Sequence, residues 1–322
     1  MSDAAPPGAP LNNHAIPLAD LSYAGGEPAL QAQIKQEFSD FRVDEELGFE
    51  PTGAGEHLYL RVRKTNLSTT QAARRLAETT GVALRDVGYS GMKDRRGECT
   101  QWFSLKLPAA GEPSLAGFEN PELTVLETQR NQRKLRVGTH RHNHFRLLLR
   151  NCQGPAQEFE RRLERLREQG VPNYFGAQRF GREMSNIDQV VALFAQERQR
   201  DGGRARRGML YSAARAYLFN QVLSERIAAG NWSRYLEGDV LNLDDTDRYF
   251  VVPEGGWDDT LQQRLDSFDI HLSGPLAGTV RAADKYCSRQ QAAALEQAVL
   301  ARFPLLVDGL KARGLEAARR PL

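Results

Sequence analysis

The segment Tyr89–Trp102, with the sequence YSGMKDRRGECTQW, contains the residues best suited to chemistry. It presents Asp94 in a turn that follows a glycine, with one lysine before it and two arginines after it. An aspartate carboxyl group has an ordinary pKa of about 3.9, so at neutral pH it is a nucleophile that needs no separate base. Neighbouring cations favour its ionised form and attract an anionic substrate. The same pattern also fits a solvated hairpin tip, so these residues alone leave both readings open.

The distribution of charge favours a polyanionic partner. The chain has 322 residues and a net charge of +2, but its basic residues are concentrated in three blocks with few acids or none. These blocks lie within residues 58–77, 129–150 and 198–207. Charge runs are often only solvated faces, whereas arginine-rich, acid-poor blocks suit phosphate recognition. We therefore expect a nucleic acid as the partner.

Composition argues against a membrane protein, a disulfide framework and a metal centre. No apolar run approaches the length of a membrane span, and the N-terminus lacks a signal-peptide pattern. The three cysteines are widely spaced and odd in number, which favours a reducing compartment. His140, His142 and His144 alternate as on one face of a strand, but no acidic or cysteine ligand lies near them in sequence. We expect a cytoplasmic monomer without a metal.

Hydrophobic periodicity predicts an α+β domain followed by a mostly helical one. Residues 1–14 are rich in proline and alanine, and we expect them to be disordered. A helix should begin at Ser68, which has Gln71 in the position of a capping box. Strand-like alternation occurs in four segments: Gln33–Glu46, His57–Arg63, Gln101–Leu107 and Asn143–Leu149. Short strands separated by turns predict a mainly antiparallel sheet.

Four motifs resemble those of the TruD family of tRNA pseudouridine synthases. The first lies in the turn described above, where GMKDRRGECTQW is similar to the family's active-site signature G-x-K-D-[KR]-x-A-x-T-x-Q-W. The resemblance implies that Asp94 is the catalytic residue and that Lys93 contacts the substrate. Gly97 and Cys99 replace the usual alanine and threonine, and neither change touches Asp94.

Two further motifs resemble family segments that surround the target base. In DFRVDEELGF, which is similar to D-F-x-V-x-E-x-L-G-F, Phe41 matches an active-site aromatic. Upstream, Lys35 matches a basic residue near the catalytic carboxylate. In GTHRHNHFRL, which is similar to G-x-x-x-x-N-x-F-x-[IL], Asn143 and Phe145 match residues that contact the target nucleotide. Without the resemblance, the aromatics read as core residues, Lys35 as a surface charge and Asn143 as a strand cap.

The fourth motif, NYFGAQRFG at residues 173–181, is characteristic of the same family. Gln178 and Arg179 could contact RNA sugar and phosphate, or the surrounding aromatics could lock a hinge between domains. The resemblance implies a pseudouridine-synthase-like catalytic domain at residues 15–168 and a mostly helical, TruD-specific insertion domain at residues 169–322.

The family's C-terminal segment has no match in this sequence. In the family the chain returns to the catalytic domain with a further strand and a G-[SY]-[FY]-A-T-x-x-x-R-E segment, which supplies an aromatic to the base pocket. We therefore expect an exposed sheet edge and a pocket that lacks one wall. A non-catalytic tRNA-binding protein or RNA chaperone is one alternative. A hydrolase that pairs Asp94 with Glu98 is another.

The resemblance implies isomerisation of a specific uridine in tRNA, at position 13, to pseudouridine. The uracil would be detached from C1′, turned and rejoined through C5, with Asp94 as the nucleophile and no cofactor. The base must first be flipped out of the folded RNA, which costs a few kcal/mol. Stacking on Phe41 and Phe145, worth roughly 1–3 kcal/mol per base, and phosphate contacts would offset that cost.

Overall fold

The computed structural model describes residues 20–107, 111, 113–195, 203–280 and 287–322. These residues form two compact units. The sheet unit is Ala29–Ala156, and the helical unit consists of the described parts of Met1–Pro28 and Gln157–Leu322. The chain thus divides after Ala156, whereas the sequence places the domain boundary after residue 168. The predicted disordered tail, residues 1–14, lies outside the described residues.

The sheet unit contains one α-helix, α1 (Thr69–Thr80), among its described residues. Its strands are β1 (Gln31–Gln33), β2 (Phe41–Leu47), β3 (His57–Thr65), β4 (Val87–Tyr89), β5 (Glu98–Lys106), β6 (Glu119–Asn120), β7 (Leu123–Asn131), β8 (His140–Leu147) and β9 (Arg150–Gln153). The main sheet has the order β6-β7-β3-β5-β2-β8, with β4 also paired to β5, while β1 and β9 pair separately. Only β2 and β5 pair in parallel among these strands. The predicted α+β fold on a mainly antiparallel sheet is confirmed.

Helix α1 forms where its capping residues predict it. The Ser68 side chain accepts the main-chain N–H of Gln71, whose side chain accepts the N–H of Ser68 in return. The helix ends at Gly81, whose φ of 69° is a left-handed conformation that glycine adopts without strain. Its apolar face, which includes the fully buried Leu76, packs with Leu60 and other residues of the sheet in one core.

The predicted strand at Gln33–Glu46 is wrong over its middle part. Lys35 has a φ of 57°, which no β-strand accommodates. A single 3-10 turn follows at Phe38–Asp40, stabilised by a hydrogen bond from the Glu37 N–H to the Asp40 carboxylate. The chain returns to strand geometry only at Phe41, so Lys35 lies on a bent segment that precedes β2.

The helical unit combines six helices and a four-stranded antiparallel sheet among its described residues. The helices are α2 (Ala156–Gln169), α3 (Ser185–Ala195), α4 (Arg204–Ala228), α5 (Asp259–Asp266), α6 (Gln290–Leu300) and α7 (Pro304–Ala312). The strands are β10 (Val240–Leu243), β11 (Tyr249–Val251), β12 (Ile270–Leu276) and β13 (Ala318–Pro321), in the order β11-β10-β12-β13. Helix α7 stops at Ala312, and Gly314 follows with a φ of 69°.

Helix α4 is the centre of the helical unit. Its buried small residues, Ala213 and Ala214, let neighbouring elements approach closely. Near its C-terminal end, Arg226 is buried and its Nη1 lies 2.6 Å from Asp239 Oδ1. A buried charge pair of this kind is strongly destabilising when one partner is removed. None of the described helices is long and apolar enough to cross a membrane.

Asp40 fixes the start of β2, and its stabilising effect should depend on pH. Its buried carboxylate accepts two hydrogen bonds of 2.8 Å from Arg150 and one from the Glu37 N–H. The Arg150 hydrogen bonds, followed by the Glu37 N–H, lower the pKa of Asp40 to about 2. Because the folded-state pKa lies below the unfolded one, the stabilisation is present above about pH 4 and is lost as the pH falls towards 2.

We expect Asp40→Asn to be less stable than the parent at neutral pH, with the difference narrowing below about pH 4. Urea unfolding of both proteins across this range measures that difference. Asp44→Asn is a matched control, because Asp44 is an exposed aspartate in β2, the strand that follows Asp40. A parent-to-variant difference that stays constant down to about pH 2 would contradict this assignment.

Candidate active site

The parallel pairing of β2 with β5 brings the candidate residues to one edge of the sheet. Arg42 lies opposite Glu98, and Val43 lies opposite Cys99. Because the two strands run in the same direction, the segments that precede them, residues 34–40 and 90–97, meet at this edge. The C-terminal end of β3 arrives there as well, since Lys64 lies opposite Cys99 on the other side of β5.

The Asp94 carboxylate is held by Lys35 and remains accessible to solvent. Asp94 Oδ2 lies 2.5 Å from Lys35 Nζ, and the Asp94 side chain is 41% exposed. The same ammonium group lies 3.7 Å from the centroid of the Phe41 ring, at cation–π distance. Lys35 therefore contacts both Phe41 and Asp94, and the sequence predicts all three as site residues.

A buried polar network fixes the loop that presents Asp94. The Lys93 N–H donates to Thr69 Oγ1 over 2.9 Å, and that hydroxyl donates to Gln101 Oε1 over 2.8 Å. The Gln101 amide in turn donates to the Gly91 carbonyl over 3.3 Å. The first residue of α1 and the middle of β5 thus hold the loop from two sides.

Lys93 lies beneath the loop instead of facing solvent. Its side chain is 5% exposed, and its ammonium group forms an ion pair with the fully buried Glu45 carboxylate. The second Glu45 oxygen accepts the Trp102 N–H at 3.0 Å. Removing one partner of such a pair typically costs about 3–5 kcal/mol because it leaves a buried charge unpaired. The structure therefore places Lys93, predicted as a substrate contact, in an internal ion pair next to Asp94.

Phe145 and Asn143 lie on β8 beside Phe41. The register sets Phe145 opposite Val43 and Asn143 opposite Glu45, so these side chains share one face with Phe41. The Phe41 and Phe145 rings contact edge to face, with centroids 6.0 Å apart and planes at 64°. A base could stack between them only after Phe145, which is 63% exposed, rotates away.

Asn143 has an unused acceptor in this face of the sheet. Its Oδ1 atom is buried and receives no hydrogen bond from the described residues. A buried carbonyl oxygen without a donor is costly, so a ligand N–H is a fitting partner for it.

Sequence reasoning missed Lys64 and Glu45 as parts of this site. Lys64 is fully buried, and its Nζ lies 2.7 Å from the main-chain oxygen of Asp94. The alternation of β3 contained a signal for Lys64, because Lys64 follows Leu58, Leu60 and Val62 on the inward face of the strand. Its positive charge instead led to its inclusion in a basic, outward-facing block. Glu45 lies in the inward register of β2 and is likewise buried.

Gln178 and Arg179 lie in the helical unit, in a 3-10 turn at Ala177–Phe180. Both are exposed, whereas Phe180 is buried in the core of that unit. The Arg179 guanidinium donates to Ser212 Oγ over 3.2 Å and lies 5.4 Å from the Phe175 ring centroid. The aromatics of the motif therefore pack inside the helical unit and leave its two polar residues at the surface.

Exposed cationic side chains lie on the segments of the sheet unit that carry the candidate site or adjoin them. Arg95 and Arg96 follow Asp94 directly and are exposed, as are Arg136 and Arg146. Part of the third basic block, residues 198–202, lies outside the described residues. The described residues contain no cluster of three or more histidine, cysteine or acidic side chains that could hold a metal ion.

A solved structure shares the architecture of this chain. A crystal structure from Methanosarcina mazei, described as a candidate tRNA pseudouridine synthase D (TruD), superposes with a TM-score of 0.70 and 21% sequence identity. The match covers 93% of this chain and 86% of that one. At this level of identity it establishes the architecture.

Sequence comparison establishes the family. The family model for tRNA pseudouridine synthase D (TruD) matches residues 20–199 and 204–319. The tRNA pseudouridine synthase D of Nitrosococcus oceani is 45% identical over 303 residues, which is 94% of this chain and 83% of the relative. That of Methylococcus capsulatus is 41% identical, with 94% and 84% covered. The chain belongs to the tRNA pseudouridine synthase D family, as its motifs predict.

Gly97, which stands where the family's signature has alanine, packs closely against Phe41. A Cβ atom on Gly97 would lie 2.8 Å from both Cδ1 and the main-chain oxygen of Phe41. Because the main chain of β2 would have to shift, we expect Gly97→Ala to lower the free energy of unfolding by about 1–3 kcal/mol. Urea unfolding of the parent and of Gly97→Ala measures this difference in the free energy of unfolding.

Gly25→Ala is the control for this substitution, because a Cβ there meets nothing within 4 Å. We expect it to leave stability nearly unchanged. Equal stability of the two variants would show that Gly97 does not limit the approach of β2.

Proposed function

We propose that this chain, an isomerase of the tRNA pseudouridine synthase D family, converts the uridine at position 13 of tRNA to pseudouridine. The observation that carries the proposal is the accessible Asp94 carboxylate, held by Lys35 against the Phe41 ring at the edge of the sheet. The relatives' names supply the reaction and the kind of RNA. The residue roles rest on the geometry described above.

In the proposed reaction, the Asp94 carboxylate bonds to the target nucleotide and the C1′–N1 bond breaks. The uracil turns and C5 bonds to C1′, and the bond between Asp94 and the nucleotide breaks again, which regenerates the free carboxylate. The C5 proton passes to solvent, and N1 gains a proton from solvent. The atoms of the nucleotide balance without a redox partner or a transferred group. The Lys35 ammonium orients the carboxylate before the base arrives, which reduces the reorganisation needed for attack.

The target base is proposed to occupy the face shared by Phe41, Asn143 and Phe145. Entry requires that the base be flipped from the RNA and that Phe145 rotate out of its contact with Phe41. The unpaired Asn143 Oδ1 is suited to accept the N3–H of uracil. A base that offers no donor at this position, such as cytosine, would leave the oxygen unsatisfied, which favours uracil.

Phosphate contacts are proposed to supply much of the binding energy. The exposed Arg95 and Arg96 border the accessible carboxylate, and Arg179 and Gln178 offer further donors on the helical unit. Guanidinium groups pair with phosphate oxygens in bidentate geometry. Because each such contact releases counterions from the RNA, the affinity for tRNA should fall steeply as the salt concentration rises.

The test is to map pseudouridine in a tRNA transcript after incubation with the protein. Carbodiimide modification followed by primer extension should report a stop at position 13 with uridine there, and no stop when that uridine is replaced by cytidine. Transcript that is bound but unmodified would instead favour a non-catalytic RNA-binding protein. Release of free uracil would favour the hydrolase, in which Asp94 acts with Glu98.

A second test addresses Arg179. We expect Arg179→Gln to weaken tRNA binding and to reduce the slope of log Kd against log salt by about one unit, because one phosphate contact is lost. Filter binding at several salt concentrations measures this slope. Arg182→Gln is the control, since its side chain is 93% exposed and lies beside Glu183. An unchanged slope for Arg179→Gln would remove Arg179 from the proposed interface.

A further inference from the structure

We propose that Lys64 is a positioning residue for the reaction: its ammonium group binds the main chain of Asp94 from the interior of the sheet unit and so sets the position of the carboxylate. The inference rests on the proposed function, since it assigns Asp94 the reacting group. Lys64 itself is fully buried and does not contact the substrate.

The geometry joins three elements through one nitrogen atom. Lys64 Nζ lies 2.7 Å from the main-chain oxygen of Asp94 and 2.6 Å from the main-chain oxygen of Leu67. Leu67 directly precedes Ser68, the N-cap of α1. The end of β3, the start of α1 and the Asp94 loop are therefore tied together at a single point. The Cys99 thiol adds a donor to the same Asp94 carbonyl, at 3.5 Å.

Burial of an ammonium group at this position is energetically unfavourable. Its transfer from water costs several kcal/mol, and apolar side chains of similar volume often replace buried ions without loss of stability. Burial lowers the pKa of Lys64, and neighbouring Lys93 adds to that effect, whereas Cys99 and Asp94 oppose it. No carboxylate of the described residues forms a salt bridge with Lys64. Packing alone therefore does not account for a lysine here, whereas binding the nucleophile's main chain does.

The three lysines around Asp94 have different partners. Lys35 binds the carboxylate, Lys93 binds the buried Glu45, and Lys64 binds the main chain. Only Lys64 is both inaccessible and bonded to Asp94 itself. Its loss should therefore change the rate of the chemical step and leave RNA binding intact, since a misplacement of about 1 Å can cost on the order of 100-fold in rate.

The experiment compares the parent with Lys64→Met, Lys64→Arg and the control Lys106→Met. Lys106 is an exposed lysine at the end of β5 that lies away from Cys99, and it is outside the three basic blocks. Tritium release from tRNA labelled at uridine C5 gives kcat and KM, and thermal unfolding checks the fold. We expect kcat to fall on the order of 100-fold in Lys64→Met, with KM nearly unchanged. We expect Lys106→Met to leave kcat unchanged.

The pH profile separates positioning from a purely structural role. Charged and titratable groups facing Lys64 are Asp94 and Lys93 from the loop and Cys99 from β5. When Lys64 loses its proton, the charge at the Asp94 carbonyl is lost, so kcat of the parent should decline at a pH below the ordinary lysine value of about 10.4. In Lys64→Arg, which retains a charge that does not titrate, the decline should begin at a higher pH than in the parent, where the uracil N3–H is lost, and activity should exceed that of Lys64→Met.

Several results would overturn the inference. A folded Lys64→Met with parental kcat, or with a raised KM alone, contradicts it. If Lys64→Met fails to fold, a parental kcat that stays flat at alkaline pH, or an unchanged decline in Lys64→Arg, contradicts it. If the parent binds tRNA but releases no tritium, the proposed function fails instead. In that case hydrogen exchange over residues 90–97 tests the positioning: faster exchange in Lys64→Arg or Lys64→Met than in Lys106→Met supports it, and equal exchange refutes it.

Discussion

The parallel pairing of β2 with β5 is the constraint on which the candidate site depends. In a sheet whose other pairs are antiparallel, this one contact makes two leading segments end at the same edge, one with Lys35 and the other with Asp94. The antiparallel neighbours then complete the arrangement: β8 supplies Phe145, and β3 supplies Lys64. A slip of one residue in the β2–β5 register would turn every contributing side chain of one strand to the opposite face.

Buried charges in the sheet unit hold the main chain around Asp94 and leave its carboxylate accessible. The interior contains the Glu45–Lys93 ion pair and the Lys64 ammonium group. Burial of such charges is unfavourable unless they are paired and hydrogen-bonded. Each of them fixes the main chain around Asp94, while the carboxylate itself keeps only Lys35 as its ionic partner among the described residues. The result is a loop held at several points with the Asp94 carboxylate exposed, which is the preorganisation that the proposed nucleophilic role requires.

Local patterns predicted the elements well, whereas contacts between distant segments could not be read from them. The Ser68 cap and the alternation in β3 and β5 indicated α1 and two central strands directly. The bend before β2 was not predictable, because it depends on Arg150, which lies 110 residues beyond Asp40. Strand β12 escaped prediction because its Ser-Gly-Pro segment at residues 273–275 is typical of turns.

For the candidate site, motif resemblance predicted Asp94, Lys35 and Phe41, and in the fold Lys35 contacts both of the others. It did not reveal that Lys93 is internal or that Lys64 reaches the Asp94 carbonyl, since charge alone marks both as surface residues. The measurement that tests the account most directly is single-turnover tritium release from C5-labelled tRNA by the parent and by Asp94→Asn, with tRNA affinity measured in parallel. The account predicts release by the parent and none by a variant that binds tRNA equally well. Release by Asp94→Asn at the parental rate would contradict it.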